Sequence, residues 1–204
     1  MSTNNPTNNP SINPPHSSPP HRDYYQALYQ AAMTISSSLE LDQVLQSIVT
    51  STAEAMQVKA CVLRLLDADS DQLQLGAVYG LSDEYLSKGP VKLASSALDS
   101  ETLRGEPIMI SDVRTDSRFQ YQEAARHEGI VSALCVPLEV HGRAIGVIRV
   151  YTTEPTDFHE DDVQFLSVLA SLSALAIENA RLYADIKDSY HGVMSAFLGT
   201  SIVP

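Results

Sequence analysis

Apolar residues recur at helical spacing twice before residue 57. From Tyr24, the positions Leu28, Ala31 or Ala32, and Ile35 form one stripe, which ends near Ser36-Ser37-Ser38. A second helix is expected over Leu41 to Met56, with Val44, Leu45, Ile48, Val49 and Ala53 on its inner face. The period then shortens to two. Strands are expected at 58–67 and 72–79, parted by the turn-rich Asp67-Ala68-Asp69-Ser70-Asp71. Residues 82–128 are the least regular, with short helices and a strand at Pro107 to Ile110. Binding residues collect on irregular segments held by a rigid scaffold, so a ligand site is expected to be framed here. Two further strands, through Val136-Pro137-Leu138 and from Ala144 to Tyr151, pair across His141-Gly142, where glycine supplies the positive φ of a two-residue hairpin.

A long helix follows Phe158, with Glu160, Asp161 and Asp162 in the first turn to complement the positive end of its dipole. Phe165, Leu169, Leu172, Ala176, Asn179, Tyr183, Ile186, Tyr190, Val193 and Phe197 recur at alternating steps of four and three, the spacing of a coiled-coil seam. Asn179 is a polar residue on that seam, of the kind that fixes register. A second stripe, Val163, Leu166, Ala170, Ser173, Ile177, Ala180 and Ala184, offers small residues for close packing on the sheet or the first helix. Two apolar faces on one helix imply more than two packing partners. A homodimer through the terminal helices is therefore expected, parallel or antiparallel; the competing reading is that the helix is satisfied by its own sheet.

Composition narrows the class. The chain has 204 residues, 44% of them hydrophobic, enough for one domain with tails. Residues 1–22 hold six of the 11 prolines and five asparagines, with Ile12 the one large aliphatic beyond Met1, and are expected to form a disordered leader. Thirteen basic against 25 acidic residues give a net charge of -12 with no Lys/Arg cluster, which disfavours nucleic acid and anionic membrane surfaces. No apolar run approaching the roughly 20 residues of a membrane span is apparent, nor a secretion signal, so a cytoplasmic location is expected. Cys61 and Cys135 both lie in apolar strands, as buried reduced thiols do.

The run Gly129-Ile130 to Tyr183, with the hairpin at His141-Gly142, the strand Ala144-Ile145-Gly146-Val147-Ile148-Arg149-Val150-Tyr151 and the helix ending Ala176-Ile177-Glu178-Asn179-Ala180-Arg181-Leu182-Tyr183, resembles the GAF family of bacterial sensory domains. The likeness reaches back through Arg64-Leu65-Leu66-Asp67, Tyr79-Gly80-Leu81 and Asp112 to Phe119. It implies an α+β fold. A central antiparallel sheet of five to six strands, in the order 2-1-5-4-3, would carry the terminal helices on one face and a pocket roofed by loops and short helices on the other. On this basis the chain divides into the leader, a GAF domain over 23–190 and an apolar tail over 191–204 of unassigned role. Many relatives carry Ser or Thr where His159 stands, so a weaker helix cap is expected there.

Alternation along the strands groups Ile145, Val147, Arg149 and Tyr151 on one face, and Ala144, Gly146, Ile148 and Val150 on the other. The second set is small at Gly146, where a helix is expected to approach closely. Arg64 shares a face with Ala60, Val62 and Leu66. The strand order implied by the resemblance makes Arg64 and Arg149 neighbours on the pocket face. A buried guanidinium needs a partner. Either Asp112, Asp116 or Glu123 pairs with these arginines, or one of the two sits at the sheet rim, or a bound carboxylate or phosphate grips them. Tyr79, Arg118, Phe119 and Tyr121 complete the candidate ligand-binding set, the last three because the family's pocket is roofed by their segment.

Several chemistries of related domains lack their residues here. Relatives that reduce free methionine sulfoxide use three cysteines in the irregular middle, which contains none in this chain. Cys61 and Cys135 would lie two strand spacings apart, too far for a disulfide. The Asn-Lys partner of cyclic-nucleotide binders is missing before Phe119, and His127 is the one histidine in the pocket segment that a haem or bilin could use. No catalytic residue, metal ligand or cofactor is assigned. The expected role is a sensor that binds a small molecule and relays the event through dimer helices to a separate output protein. The alternative is a ligand-free dimerisation or scaffolding module.

Overall fold

The computed structural model describes residues 21–37, 40–67 and 71–199, and the side chains at 24–35, 40–67, 71–183, 186–187 and 189–190. Most of the expected leader and the turn at 68–70 therefore lie outside the described residues, as do the side chains of Val193 and Phe197. Helices α1 (His21–Ser37) and α2 (Leu41–Met56) lead into strands β1 (Ala60–Asp67) and β2 (Gln72–Tyr79). The middle holds α3 (Asp83–Leu86), β3 (Val91–Lys92), a 3-10 turn (Leu93–Ser95), α4 (Ala97–Thr102), β4 (Ile108–Ile110) and α5 (Gln122–Glu128). Strands β5 (Ser132–Val140) and β6 (Arg143–Thr152) precede the 40-residue α6 (Glu160–Gly199), which continues through most of the segment assigned to the tail.

The sheet is antiparallel throughout, in the order β3-β2-β1-β6-β5-β4. This is the expected order with β3 added at the β2 edge. The β5–β6 hairpin closes through His141 and Gly142, both at positive φ (50° and 73°), a turn whose twist matches that of the strands. Helix α2 stops where Gln57 turns left-handed and gives its N–H back to Ala53 and Glu54. Val44, Leu45, Ile48, Val49 and Ala53 are all buried, as the stripe predicts. Each large aliphatic among them contributes roughly 1.5–3 kcal/mol by leaving water.

Two apolar clusters share the sheet. On the helix side, Cys61, Leu63, Leu134, Val136, Ile148 and Val150 meet α1, α2 and α6. On the other, Val62, Cys135, Val147 and Tyr151 meet the irregular middle. The two cysteines are thus free, buried and on opposite faces of the sheet. Burial pushes both thiols above their ordinary range, so they stay protonated and inert.

The structure corrects two details of the strand reading. Gly146 makes room for a neighbouring strand, not a helix: an added Cβ would lie 2.2 Å from the Arg64 carbonyl oxygen and 3.1 Å from Leu65 Cα. Ile145 packs with the helix-side cluster, because the register passes from Leu138↔Gly146 to Glu139↔Ala144 and leaves Ile145 as the extra residue of a bulge.

Helix α6 carries two more corrections. Its segment Glu160–Tyr183 spans 24 residues and holds an 18-residue window of mean hydropathy 1.4, long and apolar enough by length and composition to cross a bilayer. Serines scattered through the segment hide this from a search for an unbroken apolar run. The apolarity has a use inside the fold, where Leu166, Leu169, Ala170, Ala174 and Ile177 are buried. The expected seam is also divided: Phe165, Leu169 and Ala176 are buried within the domain, and Tyr183, Ile186 and Tyr190 are exposed. Phe165 stacks on Tyr24 of α1 at 4.1 Å, and the Tyr24 hydroxyl donates to Asp162 at 2.5 Å. The other Asp162 oxygen accepts the His159 N–H at 2.8 Å, which supplies half of a capping box where the Ser or Thr cap is missing.

Candidate functional site

The β1–β6 register pairs Arg64 with Val147 and Val62 with Arg149, so the two arginines stand diagonally on adjacent strands. Both project away from the terminal helices. There they meet Tyr85, Lys88, Val91, Ser96, Asp99, Phe119, Gln120, Tyr121 and Tyr151 in one cage. Of the six candidate ligand residues, the structure brings together Arg64, Phe119, Tyr121 and Arg149. Tyr79 ends β2 with its side chain partly in solvent, and Arg118 turns outward to form a two-pronged pair with Asp116 at 3.0 and 2.6 Å. Neither lines the cage.

The arginines differ sharply in how they are satisfied. Arg149 is 6% exposed, pairs with Asp99 of α4 through Nη2, and donates from Nη1 to the Tyr151 hydroxyl at 3.3 Å. Asp99 is itself 1% exposed and accepts the Ser96 hydroxyl at 2.5 Å, while Ser96 caps α4. Burial alone would lower the Arg149 pKa, but the Asp99 charge overrides it and holds the guanidinium well above its ordinary value. The acids that sequence reasoning offers as partners are occupied elsewhere: Asp112 by Arg114, Asp116 by Arg118 and Glu123 by Arg126.

Arg64 has no such partner. Its Nη1 donates to the Leu73 carbonyl at a long 3.4 Å, and no described carboxylate lies within 4.0 Å. Burial lowers its pKa, and the nearby Arg149 adds to the effect. Lys88, in the turn after α3, sits with Nζ 3.1 Å above the Tyr85 ring and 5.5 Å from that of Tyr121. Burial, with Arg64 and Arg149 adding to it, pulls its pKa down to about 7. Three cationic side chains therefore face one carboxylate.

The cage is shut. Its volume is about 10 Å³, room for at most one water. The cover is Ser87 to Pro90, bent at Gly89 (φ 107°), with the Tyr121 hydroxyl donating to the Pro90 carbonyl at 2.9 Å. Phe119 and Tyr85 each set an edge against Tyr151 at 6.4 Å and brace the far wall. Beside them the Gln120 Oε1 is buried with no hydrogen-bond partner. The grooves of about 260–270 Å³ lie between the terminal helices and hold no buried charge. No metal-binding group of three His, Cys, Asp or Glu occurs among the described residues, and His127 is exposed on α5.

Sequence reasoning misses Tyr85, Lys88, Ser96, Asp99 and Gln120. A usable signal exists for Asp99: Ser96-x-x-Asp99 has the spacing of a helix-capping box, which marks a short helix and aims an acid beside its start.

The chain matches curated regulators over most of its own length. It is 24% identical over 168 residues to a methyl sulfide methyltransferase-associated sensor of Methanosarcina acetivorans, covering 80% of this chain and 17% of that one. It is 25% identical over 150 residues to the nitrogen fixation protein VnfA of Azotobacter vinelandii, covering 70% and 28%. The chain thus spans less than a third of the curated relatives it matches, which are sensors and regulators. Among solved structures, the GAF domain of a phosphoenolpyruvate-protein phosphotransferase from Coxiella burnetii superposes with a TM-score of 0.72 at 23% identity, covering 80% of this chain and 98% of that one. The free methionine-R-sulfoxide reductase of Neisseria meningitidis does so with a TM-score of 0.69 at 21%, covering 82% and 97%. The sheet order, the terminal helices and a family model matching residues 40–177 agree: the chain belongs to the GAF domain family.

Proposed function

We propose that this domain is a non-catalytic receiver that binds a small anion in the basic cage and relays its occupancy through paired terminal helices to a separate output protein. The observation that carries this reading is Arg64, a buried guanidinium with one weak protein partner and a second cation, Lys88, across the same space. An anion between them would supply the missing countercharge. Binding requires the cover at 87–90 to lift, because the shut cage holds about one water's volume. An anion that fits only the open arrangement shifts the population toward it by the difference in affinity and no more. The inert, separated cysteines support a role without redox chemistry.

A thermal-shift panel of small carboxylates, phosphate and sulfate tests this reading. A hundredfold excess over Kd is expected to raise the Tm by about 5–10 °C. Arg64→Met should keep its fold and lose that rise. A panel in which no anion stabilises the parent would leave the second reading, a ligand-free scaffold, favoured by the internal Arg149–Asp99 pair and the closed cage.

A further inference from the structure

We infer that the cage selects a short carboxylate bearing a hydroxyl, a small 2-hydroxy acid, over its 2-oxo counterpart and over amino acids. The inference rests on the anion reading above and adds the chemistry of the ligand's second group. Only some of the cage's hydrogen-bonding capacity is free. Asp99 is taken by Arg149 and the Ser96 hydroxyl, the Tyr121 hydroxyl is taken by the Pro90 carbonyl, and Arg149 is held by Asp99 and Tyr151. Two kinds of free capacity remain. Arg64 and Lys88 are donors without a carboxylate, the Arg149 Nε is a buried donor without an acceptor, and Gln120 Oε1 is a buried acceptor without a donor.

The complementary ligand therefore presents an anion to the two cations and a hydrogen-bond donor to Gln120. A 2-oxo acid or sulfate has acceptors alone and leaves the Gln120 oxygen unmatched in a dry site, the kind of mismatch by which polar sites reject analogues. An amino acid has a donor, but its ammonium would add a fourth cation to a cage with one carboxylate. The hydroxyl satisfies Gln120 without charge. The shut volume of about 10 Å³ and the ring walls of Tyr85, Phe119 and Tyr121 favour a chain of two to three carbons, which asks least of the cover.

The test compares L- and D-lactate with pyruvate, by calorimetric titration of the parent and of Gln120→Met. In the parent, the better lactate enantiomer is expected to bind about tenfold more tightly than pyruvate. Gln120→Met keeps the side-chain length, removes the acceptor and should bring that ratio near one. Equal or tighter binding of pyruvate, or a preference that survives in Gln120→Met, overturns the inference while leaving the anion reading in place. Failure of every acid to bind overturns the inference, and the anion reading falls with it only if phosphate and sulfate also fail in the thermal-shift panel. Should Gln120→Met fail to fold, the ratio in the parent alone decides.

Discussion

Arg149→Met is expected to destabilise the domain by about 3–5 kcal/mol, because it strands the Asp99 carboxylate in a site that is 1% exposed. In thermal terms this is roughly a ten-degree loss of Tm for a chain of this size. The loss belongs to the orphaned acid more than to the missing pair. Desolvation offsets most of the attraction within a buried ion pair, so the double variant Arg149→Met/Asp99→Leu should return close to the parent. Arg64→Met sits two positions along the same face of β1–β6 and should behave differently. It strands no acid and releases one long bond to the Leu73 carbonyl, so it should be neutral or mildly stabilising. Denaturant unfolding of the four proteins checks this. A loss under 1 kcal/mol in Arg149→Met would mean that Asp99 is not held as a buried charge.

The combination Tyr183→Glu with Ile186→Glu is expected to turn a dimer into a monomer, weakening association by at least about a hundredfold. The dimer is our proposal, and its partner is a second copy of this chain. Tyr183, Ile186 and Tyr190 continue the buried series Phe165, Leu169 and Ala176 at steps of three and four, yet are 60–68% exposed. Outward on the same helix lie Val168, Leu175 and Leu182 at steps of seven, and Tyr25, Tyr29 and Met33 line the exposed side of α1. Tyr25 and Val168 border one groove, so the two helices present a common apolar face. A second copy offers the same face and can cover both. Sedimentation of parent and double variant measures the effect, with circular dichroism to establish that the fold is kept. A parent that sediments as a monomer at high concentration would contradict the dimer.

The regular parts of the fold were legible because one period dominates each. The apolar stripe of α2 predicts both its bounds and its buried face, and alternation along β6 places Arg149 on the cage side. Reading fails where two structures share one signal. The seam on α6 has a single period, but Phe165, Leu169 and Ala176 are buried by their own domain while Tyr183, Ile186 and Tyr190 are exposed, a difference that depends on where the sheet ends. Alternation likewise assigns Ile145 to the wrong face, because a bulge leaves no mark in hydrophobicity.

The cage is legible in half. Strand geometry brings Arg64 and Arg149 together, whereas Asp99, Lys88 and Gln120 come from a short helix and turns whose placement follows from long-range packing. Nothing in the sequence marks Asp99 as the partner of Arg149, whereas Asp112, Asp116 and Glu123 lie beside other arginines and pair with those instead.

The most direct test of a cage that opens to take an anion is a crystal structure grown with a saturating amount of the carboxylate that most stabilises the parent. It should place the carboxylate between the Arg64 guanidinium and Lys88 Nζ, with Lys88 off the Tyr85 ring, the Tyr121–Pro90 hydrogen bond broken and residues 87–90 displaced outward. An anion bound elsewhere, with Lys88 still over Tyr85 and the cage shut, would contradict the account.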